Sequence, residues 1–111
     1  MSKGTANRTL ILRMWTRDPS GSNVHIALVV GVSREYVRYV LYRPKRFLRR
    51  VAERLGEMGM TFDDLAKGIR VTTPCLTELF YRYFSLRPHH RKDIAIWCHR
   101  TEAELFGEGK S

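Results

Sequence analysis

Apolar side chains recur along most of this chain at the three-to-four-residue spacing of a helix, with turn-forming residues interrupting them about every 8–14 residues. Over Asn7–Arg17, the positions Leu10, Ile11, Met14 and Trp15 share one face, which predicts a first helix with that stripe inward. Asp18-Pro19-Ser20-Gly21-Ser22 then ends it, because proline and glycine continue a helix only at a cost. Asn23 to about Val30 reads as a second helix, although IALVVGV (Ile26–Val32) is β-branched enough to suit a buried strand. The next residues decide for helix. Gly31 suits the left-handed residue that closes one helix, and Ser33 suits the cap that opens another.

From Ser33 the pattern runs to about Tyr42 with Val37, Val40 and Leu41 inward. Pro44 fits the first turn of a further helix, where its missing N–H costs nothing. That helix carries Phe47, Val51 and Leu55 on one side and Arg46, Arg49, Arg50 and Arg54 around the other. Thr61-Phe62-Asp63-Asp64 fits a capping box, Thr72 caps a helix with Pro74 in its first turn, and Thr101-Glu102-Ala103-Glu104 opens a short last one. The pattern predicts an all-α fold, a compact bundle of about seven short helices without a long linker.

Length and composition fit one compact domain or two very small ones: 111 residues, 43% hydrophobic and 28% charged, argue against wholesale disorder. The apolar run Ile26–Val32 falls far short of the roughly 20 residues a membrane span needs. No N-terminal leader pattern stands out, so a cytoplasmic, nucleoid-associated protein with no membrane partner is expected. Cys75 and Cys98 alone do not make a disulfide framework.

Charge changes the picture more. Residues 1–55 hold 12 Lys and Arg against 3 Asp and Glu, a net of +9, whereas residues 56–111 hold 8 of each. All of the excess lies in the first half, so that half is built to face a polyanion.

The segment NVHIALVVGVSREYVRYVLY, Asn23 to Tyr42, resembles the helix-turn-helix of bacterial and phage transcription regulators. Ala27 is the small residue that lets two helices cross closely, Gly31 is the turn glycine, and Val37 and Val40 lock the second helix onto the first. The resemblance implies that this second helix lies in the major groove, with Ser33, Arg34, Glu35, Arg38, Tyr39 and Tyr42 toward base edges. Arg34 and Arg38 suit bidentate contacts to guanine, and Glu35 suits a cytosine amine or the orientation of Arg38 or Tyr39. Arg43, Lys45, Arg46, Arg49 and Arg50 follow at once and suit phosphate.

From Arg46 onward the chain resembles the phage repressor/Cro (Xre-like) domain over about 60 residues, closing with Glu104-Leu105-Phe106-Gly107. Ala66, Val71, Leu76 and Leu79 repeat Ala27, Val32, Val37 and Val40 at a constant offset of 39, which suggests an internal duplication. The turn glycine is replaced by Arg70, and the outward positions Thr72, Thr73, Pro74, Thr77, Glu78 and Tyr81 include no basic residue. The expected division is therefore a basic DNA-binding unit over residues 1–57 and a neutral second unit over 58–111, sharing the helix over 45–57. The neutral unit is assigned to a homodimer contact or to a protein partner through residues 72–106, with Glu78, Tyr81 and Tyr83 at that surface and Phe80 and Phe84 in the core.

Other constellations are set aside. Cys75, His89, His90, Cys98 and His99 lack the spacing of a zinc site, so neither metal nor other cofactor is expected. Gly107-Glu108-Gly109-Lys110-Ser111 imitates the end of a phosphate loop but reads as a flexible tail. Asp63 and Asp64 fit helix capping better than acid–base chemistry, and no catalytic set stands in motif context, so no enzyme is expected. The leading expectation is a dimeric, sequence-specific double-stranded DNA-binding regulator, of repressor type and suited to a phage or mobile element. A regulatory adaptor acting through the C-terminal half, such as an antitoxin or anti-activator, is the alternative. Sequence-independent nucleic-acid binding is a third, disfavoured because the basic residues offer few aromatics beyond Trp15, Tyr39 and Tyr42.

Overall fold

Side-chain caps set most of the helix boundaries. Ser22 and Ser33 stand extended at the heads of two helices and accept the backbone N–H groups of Val24 and Tyr36. Thr72 caps Cys75 in the same way, while Thr61 with Asp64 and Thr101 with Glu104 form reciprocal boxes that satisfy two end donors each. The computed structural model describes residues 3–106. Among these are eight helices and no strand: α1 (Lys3–Arg17), α2 (Asn23–Val30), α3 (Arg34–Phe47), α4 (Arg49–Met58), α5 (Phe62–Gly68), α6 (Thr73–Tyr81), α7 (Pro88–Cys98) and α8 (Glu102–Phe106), with a 3-10 turn at Tyr83–Ser85 before α7.

Helix α1 is the axis of the bundle and packs against α2, α3, α4, α5 and α6. Being covered on several sides, it buries Ile11, Leu12 and Trp15 completely, together with Thr9 and Thr16. Leu10, expected inside, is exposed, and Leu12 takes its place. A one-sided stripe underestimates how much of a central helix is buried. Thr16 satisfies its hydroxyl on the Leu12 and Arg13 carbonyls, and the Thr9 and Thr77 hydroxyls share a 2.6 Å hydrogen bond between α1 and α6.

Three further expectations are revised. Pro44 does not open a helix; it lies buried within α3, which continues to Phe47 and breaks at Leu48, where φ is −121° and ψ is 12°. Pro44 and Leu48 both pack into the core, and the Leu48 N–H still bonds the Pro44 carbonyl at 2.8 Å, so packing carries the helix past the proline. Helix α7 is additional; its signals are Pro88 in the first turn and His99 as a left-handed C-cap. Phe84, expected in the core, is exposed on the 3-10 turn.

The correspondence at 39 residues extends to the backbone. Gly31 and Arg70 are both left-handed, with φ of 83° and 64°. The N–H groups of Val32 and Val71 reach back to the Ala27 and Ala66 carbonyls at 3.1 and 3.0 Å. Caps Ser22 and Ser33 in the first helix pair answer to Thr61 and Thr72 in the second. The two pairs nevertheless share one buried cluster that runs from Ile11 to Phe106. Helix α2 leaves Val24, Leu28 and Val29 exposed, and buries only Ile26 and Ala27.

Candidate nucleic-acid interface

Helix α3 is fixed by its inner face. Val37, Val40, Leu41 and Pro44 are buried, so the side chains opposite are aimed outward from a rigid base. Five of them, Glu35, Arg38, Tyr39, Tyr42 and Arg43, line a shallow groove of about 400 Å³. Their spacing is one stripe of a helix, two residues per turn. Arg34 lies beside this stripe, exposed and 3.7 Å from the Glu35 carboxylate. Ser33 is at its head, with its hydroxyl already engaged on the Tyr36 N–H at 3.0 Å.

The five cations assigned to phosphate divide. Arg43 and Arg46 stand exposed at the end of α3 beside aromatic rings, with guanidinium carbons 5.6 Å from the Phe84 centroid and 5.5 Å from that of Phe47. Lys45 is instead a brace: its ammonium donates to Asn23 Oδ1 at 2.8 Å, tying the end of α3 to the start of α2. Partial burial, and then the charge of Arg49, hold its pKa below the usual lysine value. Arg49 is exposed and reaches the Pro19 carbonyl at 3.4 Å, and Arg50 reaches the Glu104 carbonyl at 3.3 Å.

Apart from Glu35, carboxylates pair with arginines away from this stripe. Glu78 accepts from Arg8 Nη2 at 2.6 Å and Nε at 3.0 Å, Asp63 pairs with Arg13, and Glu57 pairs with Arg54 and Arg100. Burial disfavours the Arg8 charge, but the Glu78 carboxylate outweighs it and holds the guanidinium above its ordinary pKa. Among the described residues, no carboxylate lies in ion-pair range of Arg38, Arg43, Arg46, Arg49 or Arg50. The fold thus neutralises Arg8 and Arg13 on α1 and Arg54 on α4, sets Arg34 3.7 Å from Glu35, and leaves Arg38, Arg43 and Arg46 on α3 and Arg49 and Arg50 at the start of α4 without a carboxylate partner among the described residues.

No family model, curated protein or solved structure matches the chain. Its functional reading rests on these side chains.

Glu78, Tyr81 and Tyr83, expected at a partner surface, lie at the seam between the two helix pairs. Glu78 faces α1, the Tyr81 ring packs 5.9 Å from Tyr39 and 4.6 Å from the Arg8 guanidinium, and Tyr83 stacks on Phe47 at 4.4 Å. Burial, and then the neighbouring Tyr39 hydroxyl, push the Tyr81 phenol above its ordinary pKa. Thr77, expected outward, is fully buried because α1 lies across α6. The outward helix of the second pair is thus covered in part by α1, with Thr72 and Cys75 left exposed. Cys75 is exposed and Cys98 buried, and among the described residues no cluster of His, Cys, Asp or Glu is placed to hold a metal ion. None of the described helices is long and apolar enough to cross a membrane. Gly107–Ser111, read as a tail, lies outside the described residues.

Sequence reasoning missed that Phe47 and Phe84 stand next to the cations at the end of α3, outside the groove itself. The rings that flank Arg43 and Arg46 include one from the other half of the chain, and no local pattern links position 43 to position 84.

Proposed function

We infer that the chain is a sequence-specific double-stranded DNA-binding transcription regulator that reads the major groove with α3. The observation that carries this reading is the outward stripe Glu35, Arg38, Tyr39, Tyr42 and Arg43 on a helix locked from behind, followed by Arg46, Arg49 and Arg50, which have no carboxylate in ion-pair range among the described residues. An arginine held this way reaches guanine O6 and N7 through both arms of its guanidinium, whereas the flanking cations set register on phosphate. A repressor acting by occlusion, as a homodimer on two half-sites, is the form proposed.

Selection from a random duplex library at near-physiological salt tests it. The expected result is an enriched motif, with inverted half-sites about 10 base pairs apart if the protein binds as a two-fold dimer. Arg38→Ala is expected to cost about 1–3 kcal/mol of specific affinity without lowering the melting temperature, because the side chain is exposed. Failure to enrich any sequence, or specific binding that survives Arg38→Ala intact, counts against α3 as the reading helix.

A further inference from the structure

Beyond the end of α3 the surface changes character. Phe84 projects from the 3-10 turn with 74% of its surface exposed, although a phenylalanine is ordinarily among the most buried residues. It is held from below and one side rather than loose. Tyr83 meets it edge-on at 5.5 Å, Phe47 lies tilted at 6.2 Å, and Phe47 and Tyr83 are themselves stacked. Three guanidinium groups surround the three rings, with Arg43 at Phe84, Arg46 at Phe47 and Arg91 at Tyr83. Arg43 belongs at once to this cluster and to the groove of α3, so the two surfaces are continuous.

A planar ring three-quarters exposed, braced by two others, with the Arg43 guanidinium over it and Arg46 over the neighbouring Phe47, has the chemistry of a stacking step for a nucleobase whose flanking phosphates are neutralised. An aliphatic protein partner would gain little from the three arginines, and a phosphate alone would gain nothing from the ring. Resting on the assignment of α3 to DNA, we propose that Phe84 stacks on one unpaired base of the bound nucleic acid, adjacent to the duplex, while Arg43 and Arg46 hold the phosphates on either side of it.

Fluorescence binding titrations with three probes test this: a short blunt duplex, the same duplex with one bulged 2-aminopurine, and a 2-aminopurine single strand. The full chain is expected to bind the bulged duplex about tenfold more tightly than the blunt one, and to quench the 2-aminopurine. Phe84→Leu keeps an apolar side chain but removes the π face; it is expected to abolish both the gain and the quench while leaving blunt-duplex affinity unchanged. Phe84→Trp is expected to restore both. Equal affinity for bulged and blunt duplexes, or a gain that Phe84→Leu leaves intact, overturns the stacking site and leaves the duplex reading standing. Binding and quenching of the single strand alone, lost with Phe84→Leu, upholds the stacking site and overturns the duplex reading. Binding to none of the three overturns both.

Discussion

Cys98 is buried beneath Arg54, which bonds its carbonyl at 2.8 Å, and burial pushes its thiol up to about 11. Arg54 and Arg100 pull the other way without offsetting this. Cys75 is exposed in the first turn of α6. Since the thiolate is the reactive form, a disulfide reagent at pH near 8 is expected to titrate one thiol rapidly and the second only when denaturant unfolds the chain. Two thiols reacting at one rate would mean that α7 opens readily from α4. At this scale the sequence is legible wherever a residue's role is local: Ser33, Thr61, Thr72 and Gly31 act on neighbours a few positions away, and each stands where its chemistry predicts. It is illegible where the role depends on what arrives from afar. Lys45 resembles a phosphate ligand until Asn23 is seen beside it, and Phe84 resembles core until the 3-10 turn is seen to turn it outward.

Two helix pairs built on one turn design offer an internal comparison. The left-handed residue is glycine in the first pair and arginine in the second. That conformation costs a residue with a Cβ roughly 1–2 kcal/mol, so Gly31→Ala is expected to lower stability by about 1 kcal/mol. Arg70→Gly is expected to raise it by a smaller amount, since glycine also loses more entropy on folding. Denaturant midpoints of the two variants check this, and a shift of the same sign for both would remove turn strain as the explanation. The glycine just before the second turn has a different reason: a Cβ at Gly68 would collide with the Trp97 indole, so that position is fixed by the approach of α7. Elements were legible through their caps, and boundaries were not legible where packing overrode a local signal. The α3–α4 break at Leu48 is the case in point, because Pro44 announces a helix start that burial of its ring does not permit.

Across the whole molecule, charge and packing divide the chain differently. Net charge changes near the start of the second half, but the buried cluster crosses that point without interruption, with α1 wedged against both helix pairs. Unfolding is therefore expected to be a single transition, with tryptophan fluorescence and far-ultraviolet circular dichroism coincident, and Trp15→Ala to destabilise it by about 3–5 kcal/mol. Two separable transitions would show that the halves fold independently. The all-α architecture was legible because helical periodicity persists along the chain, whereas the centrality of α1 was not, since nothing local marks one amphipathic helix as the hub. The distribution of ion pairs has a kinetic consequence. With Asp63, Glu57 and Glu78 pairing arginines on α1 and α4, the cations from Arg38 to Arg50 form a run without carboxylate partners. If α3 is the reading helix proposed above, these cations steer it toward a polyanion before contact, and added salt is expected to slow association, which stopped-flow binding at two salt concentrations checks.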